Sequence, residues 1–109
     1  MQKKEAFTVE LNKNGGYQSL LKKDGQLLTF GMHSGRVWLE AGGECGVHNT
    51  EDKEELLGFL GGEGVAKIEG QDDMAVGGGE IAYIPPKTEH NIINTGDEAL
   101  VYVFCVSPV

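Results

Sequence analysis

The stretch Gly79-Glu80-Ile81-Ala82-Tyr83-Ile84-Pro85-Pro86-Lys87-Thr88-Glu89-His90-Asn91-Ile92-Ile93-Asn94 holds two short apolar runs around a proline pair. Proline cannot donate to a strand ladder, so Pro85-Pro86 ends the first run. Glu80–Ile84 and His90–Asn94 therefore read as strands. If they form a hairpin, His90 opens a strand beside a turn, where a pocket can sit. A second stretch matters equally. Gly42-Gly43-Glu44-Cys45-Gly46-Val47-His48 is glycine-rich and ends on a histidine, and Glu55 follows seven residues later.

The rest of the chain has the same texture. Short apolar runs predict further strands at Ala6–Leu11, Gln26–Met32, Arg36–Ala41, Leu56–Leu60, Val65–Glu69 and Ala99–Ser107. Turn residues separate them, among them Asn14-Gly15-Gly16, Lys23-Asp24-Gly25 and Asn94-Thr95-Gly96-Asp97. The 17 glycines in 109 residues, about twice the usual share, suit tight turns and bulges. The one helical candidate, Thr50–Leu57, is too short and too glycine-bounded to favour. The length fits one domain over residues 1–109. About eight short strands imply an all-β sandwich or barrel. In Ala99–Ser107 both faces are apolar: Val101, Val103 and Cys105 on one, Leu100, Tyr102 and Phe104 on the other. A barrel that buries only its interior alternates more cleanly. The outer face therefore predicts a homodimer through outer sheet faces.

The formal net charge is −8. An acidic surface repels phosphate backbones, so nucleic acid is disfavoured as a partner. No apolar run reaches membrane-spanning length, and Met1-Gln2-Lys3-Lys4-Glu5 lacks the apolar core of a signal peptide. Two cysteines, Cys45 and Cys105, form no disulfide framework. These features predict a cytoplasmic protein with no membrane partner.

The two opening stretches resemble a known pair of motifs. Gly42-x5-His48-x-Thr50-x4-Glu55-x6-Gly62 is similar to the first cupin motif, G-x5-H-x-H-x3,4-E-x6-G. Gly79-x5-Pro85-x-Lys87-x2-His90-x3-Asn94 is similar to the second, G-x5-P-x-G-x2-H-x3-N. Thr50 stands where the first motif has its second histidine, and Lys87 where the second has its glycine. Sixteen residues separate Gly62 from Gly79, a spacer like that of small prokaryotic cupins. Two long spaced patterns in the right order are a specific signal. The resemblance implies a double-stranded β-helix, or jelly-roll barrel.

It also implies roles. His48, Glu55 and His90 match three of the four usual metal-ligand positions. Two imidazoles and a carboxylate suit iron(II) oxygen chemistry and catalytic zinc, and the implied cofactor is a divalent transition metal: Fe, Mn, Zn or Ni. Thr50 faces the same way as His48 on a strand, and its hydroxyl is positioned to bond a metal-bound water. The implied activities are dioxygenase-like, isomerase, epimerase or decarboxylase chemistry on a small organic molecule. Because the fold hosts all of these, a non-catalytic sugar- or metabolite-binding module without metal stands beside them.

Other residues read structurally. Gly42, Gly62 and Gly79 are expected in turns with φ > 0. Lysine disfavours that conformation, which argues against it at Lys87. Glu54 competes with Glu55 for the ligand role, but only Glu55 keeps the spacing to Gly62. Glu51–Glu54 reads as a solvated turn. His33 is expected to end a strand in solvent. Cys45, three residues before His48, is expected on the opposite face. Trp38, Phe59, Tyr83 and Phe104 are expected in the core.

Overall fold

The computed structural model describes residues 3–109. Met1 and Gln2, part of the N-terminal stretch considered above, lie outside the described residues. Strands follow one another as β1 (Tyr17–Ser19), β2 (Lys22–Lys23), β3 (Gln26–Leu27), β4 (His33–Leu39), β5 (His48–Asn49), β6 (Lys53–Gly61), β7 (Glu63–Ile68), β8 (Met74–Gly77), β9 (Ile81–Ile84), β10 (Glu89–Asn94) and β11 (Leu100–Pro108). No helix forms among the described residues. One sheet has the order β1-β4-β11-β6-β9, a second β5-β10-β7-β8, and β2 and β3 form a separate hairpin.

The two sheets close on one core. The first contributes Leu57, Phe59, Ile84, Leu100 and Tyr102, and the second Ala66, Ile68, Val76 and Ile92. Along β6 the alternation is plain: Glu55, Leu57 and Phe59 are buried while Leu56 and Leu60 are exposed. Register carries that inner face across the sheet. Leu57 pairs with Phe104 and Glu55 with Val106 of β11, and these pair with Gly35 and His33 of β4.

The expected hairpin of residues 80–84 and 90–94 does not form. Strand β9 pairs with β6, and β10 pairs with β5 and β7. The Pro85–Thr88 segment instead crosses between the sheets: the two prolines cannot donate to a ladder, and the Thr50 hydroxyl holds the segment at Pro85 O and Thr88 N. The ends of the segment expected at Ala6–Leu11 also differ. Phe7, Val9 and Leu11 alternate as in a strand, but they remain exposed and join no ladder. The following residues lie over the outer face of β4, where the buried Arg36 guanidinium donates to Gly15 O (3.1 Å), Asn14 O (3.1 Å) and Asn12 Oδ1 (2.9 Å).

The three motif glycines behave as expected: φ is 80° at Gly42, 82° at Gly62 and 90° at Gly79. Lys87 does not. It takes φ 56° at the position of the family's glycine. Its N–H donates to Glu51 O (2.9 Å), so pairing between the two turns holds a conformation that lysine alone disfavours.

Candidate functional site

His48 and His90 face each other directly across β5 and β10. Their rings meet edge to face, with centroids 4.5 Å apart. Glu55 reaches them from β6 of the other sheet, so the site bridges the two sheets at one end of the barrel. The His90 Nε2 to Glu55 Oε1 distance is 3.0 Å. One ligand atom from each of the three residues lies within 4.8 Å of the others. His90 and Glu55 are buried, whereas His48 is exposed and opens the site to solvent.

The imidazole tautomers follow from the backbone. His48 Nδ1 is 3.0 Å from Gly46 O, and His90 Nδ1 is 3.1 Å from Thr88 O. A carbonyl only accepts, so each Nδ1 carries the proton and donates. Each Nε2 then presents a lone pair in the neutral ring. In the neutral ring the buried His90 Nε2 has no donor to accept from and points at a carboxylate oxygen, to which only a protonated ring could donate. A lone pair set against a carboxylate needs a proton or a cation between them. Backbone carbonyls that hold the far nitrogens are what metal-binding imidazoles usually have. The donor set and its orphaned nitrogen therefore fit a divalent ion.

The neighbouring groups are tuned by burial and by Glu55. At His90, burial pushes the pKa down, but the Glu55 hydrogen bond, the Thr88 carbonyl and the Glu55 charge outweigh it, and the net shift is upward from 6.5. Tyr102 is pushed far up, first by burial and then by Cys45 and Glu55, so its phenol stays neutral. Burial, followed by the Glu55 charge, also raises the Cys105 thiol.

Thr50 is buried, and its hydroxyl turns back into the protein. It donates to Pro85 O (2.7 Å) and accepts from Thr88 N (3.1 Å). Glu54 lies on the outer side of β6, where it accepts from Tyr83 Oη (2.8 Å). Of the stretch read as a turn, only Glu51 and Asp52 are one; Lys53 and Glu54 begin β6.

Three expectations are corrected. Cys45 packs against the core, not away from it. Glu44 pairs with Ile93 and His48 with His90, so four steps along one strand match three along the other. Gly46, at φ 97°, supplies this bulge and restores Cys45 and His48 to one face. His33 does not end a strand but begins β4, half-buried and on the inner face in the row of Val106 and Glu55. Tyr83 is an exposed outer-face residue, whereas Phe59 is in the core. Tyr102, which the sequence marks only as part of an apolar face with Leu100 and Phe104, lies buried near Cys45 and Glu55.

A two-sheet jelly roll with a His–Glu–His group bridging its sheets defines the class. The Cupin domain family matches residues 35–107, and the chain belongs to that family. Solved structures agree in fold. An RmlC-like cupin family protein with a double-stranded β-helix fold from Methanocaldococcus jannaschii superposes with TM-score 0.77 at 18% identity, over 94% of this chain and 91% of that one. A predicted oxalate decarboxylase from Thermotoga maritima gives TM-score 0.72 at 26% identity, over 85% and 79%. The Schizosaccharomyces pombe Cnp3 cupin domain gives 0.74 at 18% identity over 85% of this chain, which spans 64% of that one. No curated protein matches the chain.

Proposed function

We propose that the chain is a single-domain cupin that holds a divalent transition metal through His48 Nε2, Glu55 and His90 Nε2, and acts there on a small organic molecule. The observation that carries this reading is the pair of Nε2 lone pairs, each set by a backbone carbonyl, converging on one buried carboxylate. Such an ion supplies Lewis acidity and, as iron, redox chemistry with dioxygen. The chain's own residues do the remaining work. Glu55 balances charge in a buried setting. The exposed His48 edge leaves the substrate a way in. Tyr102 stays a neutral hydroxyl. Thr50 serves by fixing the turn that carries His90. An oxygenase-like or decarboxylase-like reaction fits this set, and the 26% identical Thermotoga maritima protein described as a predicted oxalate decarboxylase supports the second.

One observation favours a metal-free binding module instead. His90, with its raised pKa, can pair with Glu55 as an imidazolium and satisfy both groups. Elemental analysis of protein purified without a histidine tag separates the two. Less than about a tenth of an equivalent of any transition metal, with none taken up on reconstitution, sinks the metal reading. Metal retained in full by His48→Ala shows that the ligands are others.

The outer face supports a homodimer. Leu56, Leu60, Ile81 and Tyr83 are all exposed on the outer side of β6 and β9, and a cavity of about 250 Å³ bounded by Leu11, Trp38, Leu60 and Val101 continues that face. A second copy of this chain, offering the same apolar residues, fits such a self-complementary surface. Two free thiols suit a reducing, cytoplasmic setting.

A further inference from the structure

A second polar niche lies on the same inner face as the His–Glu–His group. It sits where the β2–β3 hairpin folds against the edge of β1 and β4, and has a volume of about 50 Å³. Its polar lining is Tyr17, Ser19, Lys22, His33 and Ser34, with Leu21 and Leu27 beneath. Ser34 is already committed, donating to Phe104 O (2.5 Å). The others present an ammonium, a hydroxyl, a phenol and an imidazole. None of the chain's 17 carboxylates lines it. On a protein of net charge −8, a pocket walled by donors and free of acids is a local reversal of sign.

Register ties this niche to the candidate centre. Ser19 pairs with Gly35 and Tyr17 with Val37. His33 pairs with Val106, which pairs with Glu55. His33 and Glu55 therefore stand in one row on one face, two interstrand steps or about 10 Å apart. The Tyr17 ring lies over the adjacent row, that of Gly35 and Phe104. A Cβ at Gly35 would fall 2.5 Å from Tyr17 Cε1 and 2.7 Å from Phe104 Cε2, so only glycine lets the tyrosine lie flat there. It stacks on Phe104 with centroids 6.2 Å apart at 23°, yet remains more than half exposed. An inner-face aromatic that stays exposed has one ring face open for a ligand.

We propose that this niche binds the carboxylate of the substrate, which is a small organic acid with a planar or cyclic body. Lys22 and His33 hold the carboxylate, Ser19 adds a hydrogen bond, and the body lies on Tyr17 toward His48 and Glu55. The niche has room for one carboxylate, since a water occupies about 30 Å³. The imidazole offers an N–H in either protonation state. On an acidic surface that repels anions, such a niche is what admits one. Only the direction of the ligand's far end rests on the metal reading, and the niche itself does not.

The test is a titration of the metal-free protein with benzoate, followed by amide and imidazole NMR shifts, with benzamide as the neutral isostere. Saturable benzoate shifts at Ser19, Lys22, Leu27 and His33 are expected, with benzamide binding about tenfold more weakly. Lys22→Ala and His33→Ala each lower benzoate affinity about fivefold to tenfold, and Lys67→Ala, the same loss of charge on β7 of the other sheet, leaves it unchanged. Both niche variants alter exposed or half-buried side chains, and unchanged spectra elsewhere show that they fold. Equal binding of benzamide, benzoate affinity indifferent to both niche substitutions, or no saturable shift in the niche overturns the proposal. Because the titration uses no metal, these outcomes leave the His48–Glu55–His90 reading to its own elemental test.

Discussion

Removing the exposed imidazole of the candidate centre should separate metal binding from fold stability. His48 is exposed, and its ring gives the fold one hydrogen bond to Gly46 O and one edge-to-face contact with His90. His48→Ala in the metal-free protein should therefore change stability by no more than about 0.5 kcal/mol. Unfolding entropy is about 2.1 cal/mol/K per residue, or about 0.23 kcal/mol/K for 109 residues. That limit then corresponds to about 2 °C in Tm. An ion supplied at about a hundred times its Kd stabilises the native state by about 2.7 kcal/mol, or about 12 °C. If loss of one imidazole weakens binding about a hundredfold, the same concentration sits near Kd and contributes only about 0.4 kcal/mol, or about 2 °C. The assay is thermal unfolding of chelator-stripped, untagged protein with Mn, Fe(II), Ni and Zn added in turn, beside metal stoichiometry. A rise of equal size in wild type and His48→Ala refutes the ligand assignment. No rise with any of these ions refutes the site.

Metal-free protein should lose stability as pH rises above 6.5. The folded pKa of His90 lies above that ordinary value, so its contribution is complete below it and lost through the raised pKa. Thermal melts across that interval check the sign, and His90→Gln should flatten the profile; stability that climbs there contradicts the reading. Thr50→Val should cost about 1–3 kcal/mol by stranding the Thr88 N–H and Pro85 carbonyl, whereas Thr50→Ser should largely keep both bonds, as denaturant unfolding would show. Lys87→Gly should gain about 0.5–1 kcal/mol by relieving φ 56°, and a loss of stability would mean that the lysine side chain is needed. Ile81→Arg should turn a species of twice 11.7 kDa into one of 11.7 kDa in light scattering; a wild-type mass near 11.7 kDa at all concentrations removes the dimer.

The fold was legible because the cupin motifs are backbone statements as much as chemical ones. Gly42, Gly62 and Gly79 mark left-handed turns that few other residues adopt, and the structure has all three there. Glu55 was separable from Glu54 by spacing to Gly62 alone, and alternation along β6 then put Glu55 inside and Glu54 outside. What failed was local parity wherever a bulge or a crossing intervened. Cys45 was misplaced because one extra residue at Gly46 shifts the alternation, and nothing in a run of glycines says which of them carries the bulge. Residues 80–84 and 90–94 looked like a hairpin because neighbours in sequence usually pair, yet the strands belong to different sheets. His33 looked like the end of the preceding apolar run. Its place on the inner face depends on pairing with Val106, more than seventy residues away, which no local pattern carries.

The threonine at the fourth ligand position gains its meaning from the same long-range pairing. Its hydroxyl accepts from Thr88 N, and the carbonyl of that residue holds His90 Nδ1. Thr50 thus fixes the backbone at Thr88, and the carbonyl of that residue sets which nitrogen of the buried His90 bears the proton. A histidine at position 50 would offer a fourth ligand but would lack a hydroxyl that both donates to Pro85 and accepts from Thr88. Thr50 instead spends its donor on the turn, and the exposed His48 keeps its own side of the centre open. That open side adjoins solvent, and the row from Glu55 through Val106 to His33 leads from it to the niche. A molecule long enough to reach both ends, with a carboxylate at one and a metal-seeking group at the other, would use each of these departures from the four-ligand pattern.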